Sequence, residues 1–153
     1  NETDYAQELV LVSWEVIAEG GERARSAEVY LKLLNPGESK PFKLMLPLEV
    51  GQVPTQVRVC PGFKTRERPI HLEASAQPYA DRGQAYFSLL GEITNIGPEG
   101  YDFIKIIVEF LDQEGQLVDI DWAFMNYLEP GTSASFTVYT SHQGVCRWRI
   151  LFD

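Results

Sequence analysis

The amino-acid sequence predicts an all-β protein made of antiparallel β-sandwich modules in tandem. Three observations carry the prediction. Helical periodicity is weak along the whole chain, while short alternating or β-branched runs recur between Gly, Pro and Asn. A shift of 94 residues also lays one part of the chain over another without a gap. With 153 residues, 44% of them apolar, there is enough material for packed cores in one ordinary domain or two small ones.

The clearest strand patterns fall at residues 9–17, 41–46, 55–60, 70–74, 86–94, 103–111, 116–127, 133–139 and 145–152. The first and the 103–111 segment are counterparts under the shift: Val10, Val12, Trp14 and Val16 land on Ile104, Ile106, Val108 and Phe110. Such alternation is that of a strand with one face buried. Each is followed by a Gly-containing turn, "EGGE" at 19–22 and "DQEG" at 112–115, then by a returning strand. Next comes Pro-Gly, at Pro36–Gly37 and at Pro130–Gly131, where Pro presets φ and Gly accepts the positive φ of a type II turn. Identical residues under the shift are Asn1 and Asn95, Glu15 and Glu109, Gly21 and Gly115, Leu34 and Leu128, Pro36 and Pro130, Gly37 and Gly131, Ser39 and Ser133, Phe42 and Phe136. All serve a scaffold.

The polar stretch "PGFKTRERP" at 61–69 reads as a linker. It separates a first module, residues 1–64, from a second, residues 65–153. The shift places counterparts of the 70–74 and 86–94 strands before Asn1, so the first module is expected to lack its opening strands. The chain is then a segment from which something has been removed, or a neighbouring strand covers the open edge, in the extreme by self-association of two copies. Expected core positions are Val10, Val12, Trp14, Leu34, Phe42, Ile104, Ile106, Val108, Phe110, Leu128, Phe136 and Trp148.

The run from Leu89 to Val138 resembles an FxLYD domain. Gly91, Ile93 and Asn95 match the family's G-x-V-x-N opening, Asp112 and Gly115 its turn, and Leu128, Pro130, Gly131 and Phe136 its close. The eponymous motif reads "VEFLD" in one copy and "WEVIA" in the other. The resemblance implies tandem immunoglobulin-like sandwiches in a prokaryotic cell-envelope protein, hence an extracytoplasmic location and no catalytic activity.

Charge narrows the partners. A net charge of −9 argues against a phosphate-backbone binder and an anionic membrane surface, since both need Lys and Arg. No run of 18 apolar residues is present. Cys60 and Cys146 lack metal-ligand spacing, and two buried free thiols are expected rather than a disulfide. His71 and His142 have no nucleophile or carboxylate partner in a recognised motif, and there is no G-x-S-x-G, P-loop or G-x-G-x-x-G. No enzyme and no cofactor is expected.

The acids Asp112, Glu114, Asp119 and Asp121 are dense but spaced poorly for Ca²⁺, and read as a charged hairpin edge that blocks aggregation. Trp122, beside Asp121 and near Asp119, is the residue expected to serve as an exposed anchor. The function expected is that of an interaction or spacer module for a protein or envelope partner. The alternative is a carbohydrate- or small-ligand-binding sandwich that uses exposed aromatics.

Overall fold

The structure, a computed structural model, describes residues 1–17, 23–45, 47, 56–79 and 86–153. Ten strands account for its regular structure: β1 (Ala6–Ile17), β2 (Arg23–Leu34), β3 (Gln56–Cys60), β4 (Phe63–Thr65), β5 (Leu72–Tyr79), β6 (Phe87–Asn95), β7 (Tyr101–Leu111), β8 (Leu117–Leu128), β9 (Ser133–Thr140) and β10 (Arg147–Phe152). The chain is all-β and every pairing is antiparallel. It divides into two compact units, Asn1–Arg68 and Pro69–Asp153, with the division inside the polar 61–69 stretch.

The second unit is a sandwich of two three-stranded sheets, β5-β6-β9 and β10-β7-β8. Taking β5 to β10 as strands A, B, C, C′, E and F reproduces the A-B-E and C′-C-F groupings of an immunoglobulin-like domain. Alternation fixes which side is inside. Leu89, Ile93, Phe136 and Val138 from one sheet meet Ile104, Ile106, Val108, Phe110 and Leu128 from the other in a single buried cluster. Phe87 sets its ring edge-on to Phe110 at 6.2 Å and lies 6.3 Å from Trp148. Gly91 belongs to this packing, because a Cβ there would overlap the Phe136 ring across the β6-β9 ladder.

In the first unit β1 is central, with β2 on one side and β3 and β4 along the other. β3 and β4 keep one register on β1, Leu11 with Cys60 and Glu8 with Phe63, and are interrupted at residues 61 and 62. The chain passes close to β1 at Gly62, where any Cβ would strike the Glu8 carbonyl. Val10, Val12 and Leu31 form the buried centre, flanked by Val29, Leu34 and Leu44.

The two hairpins match strand for strand. Adding 94 to the β1-β2 register, Val10 with Leu31 and Val16 with Arg25, gives the observed β7-β8 register, Ile104 with Met125 and Phe110 with Asp119, and both slip at the last pair. Asn95 staples the second unit. It donates from Nδ2 to the carbonyls of Glu99 (2.7 Å) and Leu128 (3.1 Å) and accepts from the Gly97 amide (2.9 Å). Its own carbonyl accepts from Gly131 and its own amide donates to Thr132. Asn1 repeats every bond 94 residues earlier, to Tyr5, Leu34, Thr3, Gly37 and Glu38. The Pro-Gly turns likewise carry φ of +72° at Gly37 and +73° at Gly131, and each closes with an i to i+3 bond.

Several expectations need correction. Residues 41–45 form no strand although their counterparts build β9, and residue 46 lies outside the described residues, as does the turn at 19–22. Phe42, expected in the core, is 40% exposed. Its counterpart Phe136 is buried because β6 lies beside it and Gly91 makes room; in the described residues of the first unit no strand plays the part of β6. Phe42→Ala should therefore cost less than about 1 kcal/mol in denaturant melting, the range of ordinary surface changes. Trp14, Leu34 and Trp148 are half-buried rather than buried. Both cysteines are free, as expected, but exposed, because each sits on or beside a strand at the margin of its sheet. β4 falls outside the strand patterns read from sequence, and β2 is expected there only as the unbounded returning strand of the repeat; it opens with charges, "RARSAE", which mask its alternation.

Candidate interaction surface

Ladder pairing decides which face each β8 residue joins, since directly paired residues in an antiparallel sheet project to the same side. Asp119 and Asp121 pair with Phe110 and Val108, so they lie on the inward side, at the margin of the sandwich. There they bond to β9. Asp119 Oδ2 accepts from the Thr140 hydroxyl at 2.6 Å, and Asp121 Oδ2 accepts from the Tyr139 amide at 3.0 Å. Because β9 is paired to β6 alone, these carboxylates tie one sheet to the other. Asp112 closes its own turn, accepting from the Gln116 amide at 2.7 Å, and Gly115 there has a φ of +82°.

Trp122 pairs with Ile107 and so lies on the opposite, outward face of β10-β7-β8. The structure therefore separates Trp122 from Asp119 and Asp121. What surrounds Trp122 is different: Lys105 holds its ammonium 5.2 Å from the indole centroid, and Phe103 stacks on Phe124 with centroids 5.5 Å apart and planes 28° from parallel. Phe103 and Phe124 remain 42% and 57% exposed. Ile107 and Ile120 on the same face are buried, as is Glu109 at 5% exposure.

Glu109 is partnered on this face by Arg149, which lies opposite it on β10 and donates from Nε to its carboxylate. That hydrogen bond and the carboxylate's charge raise the Arg149 guanidinium above its ordinary value against a small opposing desolvation. Since the folded value is raised, the contribution is complete at neutral pH and is lost only as pH climbs through the guanidinium range. Arg149 is itself largely exposed, so the pair is partly screened. Removing Arg149 still strands a buried carboxylate. Arg149→Ala should cost about 1–2 kcal/mol at pH 7, the low end of what an unpaired buried acceptor costs. The loss should hold across the neutral range, and an Arg149→Ala variant as stable as the parent in chemical denaturation would count against it.

His71 precedes β5, its amide donating to the Tyr101 hydroxyl, and His142 lies in the 141–146 turn, its amide donating to Thr140 Oγ1. Both are exposed. Of the outward-facing set, sequence reading found Trp122 and missed Phe103, Phe124, Lys105, Glu109 and Arg149. A signal was present for some: an Asp112–Gly115 turn fixes the hairpin register, and that register puts Lys105 beside Phe124 and Ile107 beside Trp122. Nothing local places Arg149 against Glu109, 40 residues away.

Fold and surface together define a β-sandwich protein whose buried polar groups hold strands and turns, with an aromatic patch on one sheet. No family model and no curated protein sequence matches the chain. Among solved structures, it is similar to the crystal structure of a DUF1425 family member from Shewanella sp. pv-4, with 16% identity and a TM-score of 0.42 over 54% of this chain and 76% of that one.

Proposed function

We propose that the chain is a non-catalytic, extracytoplasmic interaction or spacer module assembled from FxLYD-type sandwiches. The observation that carries this reading is the stacked Phe103–Phe124 pair, 42% and 57% exposed on an outer sheet face beside Trp122. Clustered apolar rings on an outer face are a feature of contact surfaces. Support for the FxLYD reading comes from the roles of its motif residues: Gly91 admits Phe136, Asn95 staples three segments, and Pro130–Gly131 turns β8 into β9.

The test is site-specific photocrosslinking in the cell that makes the protein, with a benzophenone amino acid at Phe124 and, as control, at the exposed turn residue Gln113. A discrete protein adduct at position 124, absent at 113, is the expected result. No adduct, or the same adducts at both positions, would remove the reading.

A second surface supports self-association. Val57 and Val59 on β3 pair with Trp14 and Val12, so they share the apolar face of the first unit's sheet, yet they are 52% and 62% exposed. Sedimentation over a wide concentration range should show a reversible dimer that Val59→Lys abolishes; a monomer at every concentration rules this contact out.

A further inference from the structure

We infer that the outward face of β10-β7-β8 takes a short, extended, acidic protein segment carrying aromatic or branched apolar side chains. This rests on the interaction reading above and names the chemistry of the partner.

The first observation is a segregation of charge. Residues 69–153 contain twelve Asp or Glu but only four Lys or Arg, namely Arg82, Lys105, Arg147 and Arg149. Arg82 lies outside the described residues. The other three all project from one face: Lys105 through its pairing with Phe124, Arg149 through its pairing with Glu109, and Arg147 two residues before Arg149 on the same side of β10. An otherwise acidic unit thus gathers its described cations around an apolar centre of Phe103, Trp122 and Phe124, on a face they share with two acids, Glu109 opposite Arg149 and Asp153 opposite Lys105.

The second observation is that two of the cations are already held in place. Lys105 rests over the Trp122 ring and Arg149 is fixed by Glu109. Side chains ordered before binding lose less entropy on binding, which favours a specific contact over a diffuse one. Arg147 is exposed.

The third concerns what the face lacks. From Phe103 onward the residues that the ladders assign to it carry cations, carboxylates, the Asn126 amide and apolar groups, and no Ser, Thr or Tyr hydroxyl; Tyr101, at the far end of the β7-β8 ladder, has its hydroxyl engaged by the His71 amide. A sugar polymer needs many hydrogen-bond partners; Phe103 and Phe124, stacked on each other, offer ring surface and no polar handle. A peptide with carboxylates set among apolar side chains matches both parts of the face. Its length is bounded as well. Screening confines attraction to about 8 Å at physiological salt, so a short segment meets the local cations. A long polyanion meets the surrounding acids and is repelled.

The experiment titrates the whole chain with a synthetic peptide of Glu residues flanking Phe and Leu, followed by amide chemical-shift changes in heteronuclear NMR. Its counterpart with Lys in place of every Glu, and oligogalacturonate, are the comparison ligands. The acidic peptide should shift β7, β8 and β10, and should bind about tenfold more weakly to Lys105→Glu/Arg147→Glu or to Phe124→Ser. Its affinity should fall with added salt. Equal binding of the Lys peptide to the unaltered protein overturns the proposal without any variant having to fold. So does the absence of shifts with the acidic peptide, and tighter binding of oligogalacturonate would make the surface one for an anionic glycan. If the peptide fails while crosslinking at position 124 still captures a protein, the acidic chemistry falls and the interaction reading stands; if crosslinking fails as well, both fall.

Discussion

Replacing Asn95 with Ala should destabilise the second unit by about 3 kcal/mol, with a fall in its melting temperature of more than about 10 °C. The side chain is fully buried and bonds the end of β6 to the 96–99 turn and to the end of β8. Alanine leaves the Leu128 carbonyl, in a buried position, without a donor, and frees the turn that leads into β7. The same substitution at Asn1 removes the counterpart bonds, and those from Thr3 Oγ1 and Gln7 Nε2, but from a half-buried site where water replaces them. It should cost only about 1 kcal/mol. Asn95→Asp separates geometry from hydrogen bonding. It keeps the acceptor for Gly97 but faces two carbonyls with a carboxylate, so its folded pKa must rise. A raised folded value makes that variant most stable at low pH, with stability lost as pH climbs through the carboxylate range. Melts of equal depth for the Asn1 and Asn95 variants, or a pH-independent Asn95→Asp, would show that the staple is not the source.

The second large effect belongs to the Gly91–Phe136 contact. Phe136→Ala should cost about 3–5 kcal/mol, the range for emptying an aromatic site in a core. Gly91→Ala should cost about 1–3 kcal/mol, because the new methyl collides with the Phe136 ring and the ring has the β6-β9 ladder behind it. The two changes must be strongly non-additive, since with the ring gone the methyl enters the space it left. In the Phe136→Ala background, Gly91→Ala should be close to neutral or stabilising, a coupling of at least about 1 kcal/mol. Additive losses in a double-mutant cycle would mean that the glycine is there for another reason. Phe42→Ala is the internal control, as the same residue of the repeat is exposed.

Features set by neighbours along the chain could be read without the structure. Alternation at Val10, Val12 and Val16 and at Ile104, Ile106, Val108 and Phe110 identified strands and their buried sides, because side-chain direction alternates with every residue. Pro-Gly at 36–37 and 130–131 identified the turns, because only glycine takes positive φ without strain. The 94-residue repeat followed from the same local rules and held down to hydrogen bonds. Pairing between distant strands was decided elsewhere. Phe42 and Phe136 occupy one motif and part company because β6 stands beside only the second. Asp119, Asp121 and Trp122 are neighbours in sequence, yet the first two tie β8 to β9 while the indole joins Phe103, Phe124 and Lys105 on the outer face. A strand's pattern states that its two sides differ; which residues of other strands meet each side depends on contacts separated by tens of residues, and those arise only when the sheets assemble.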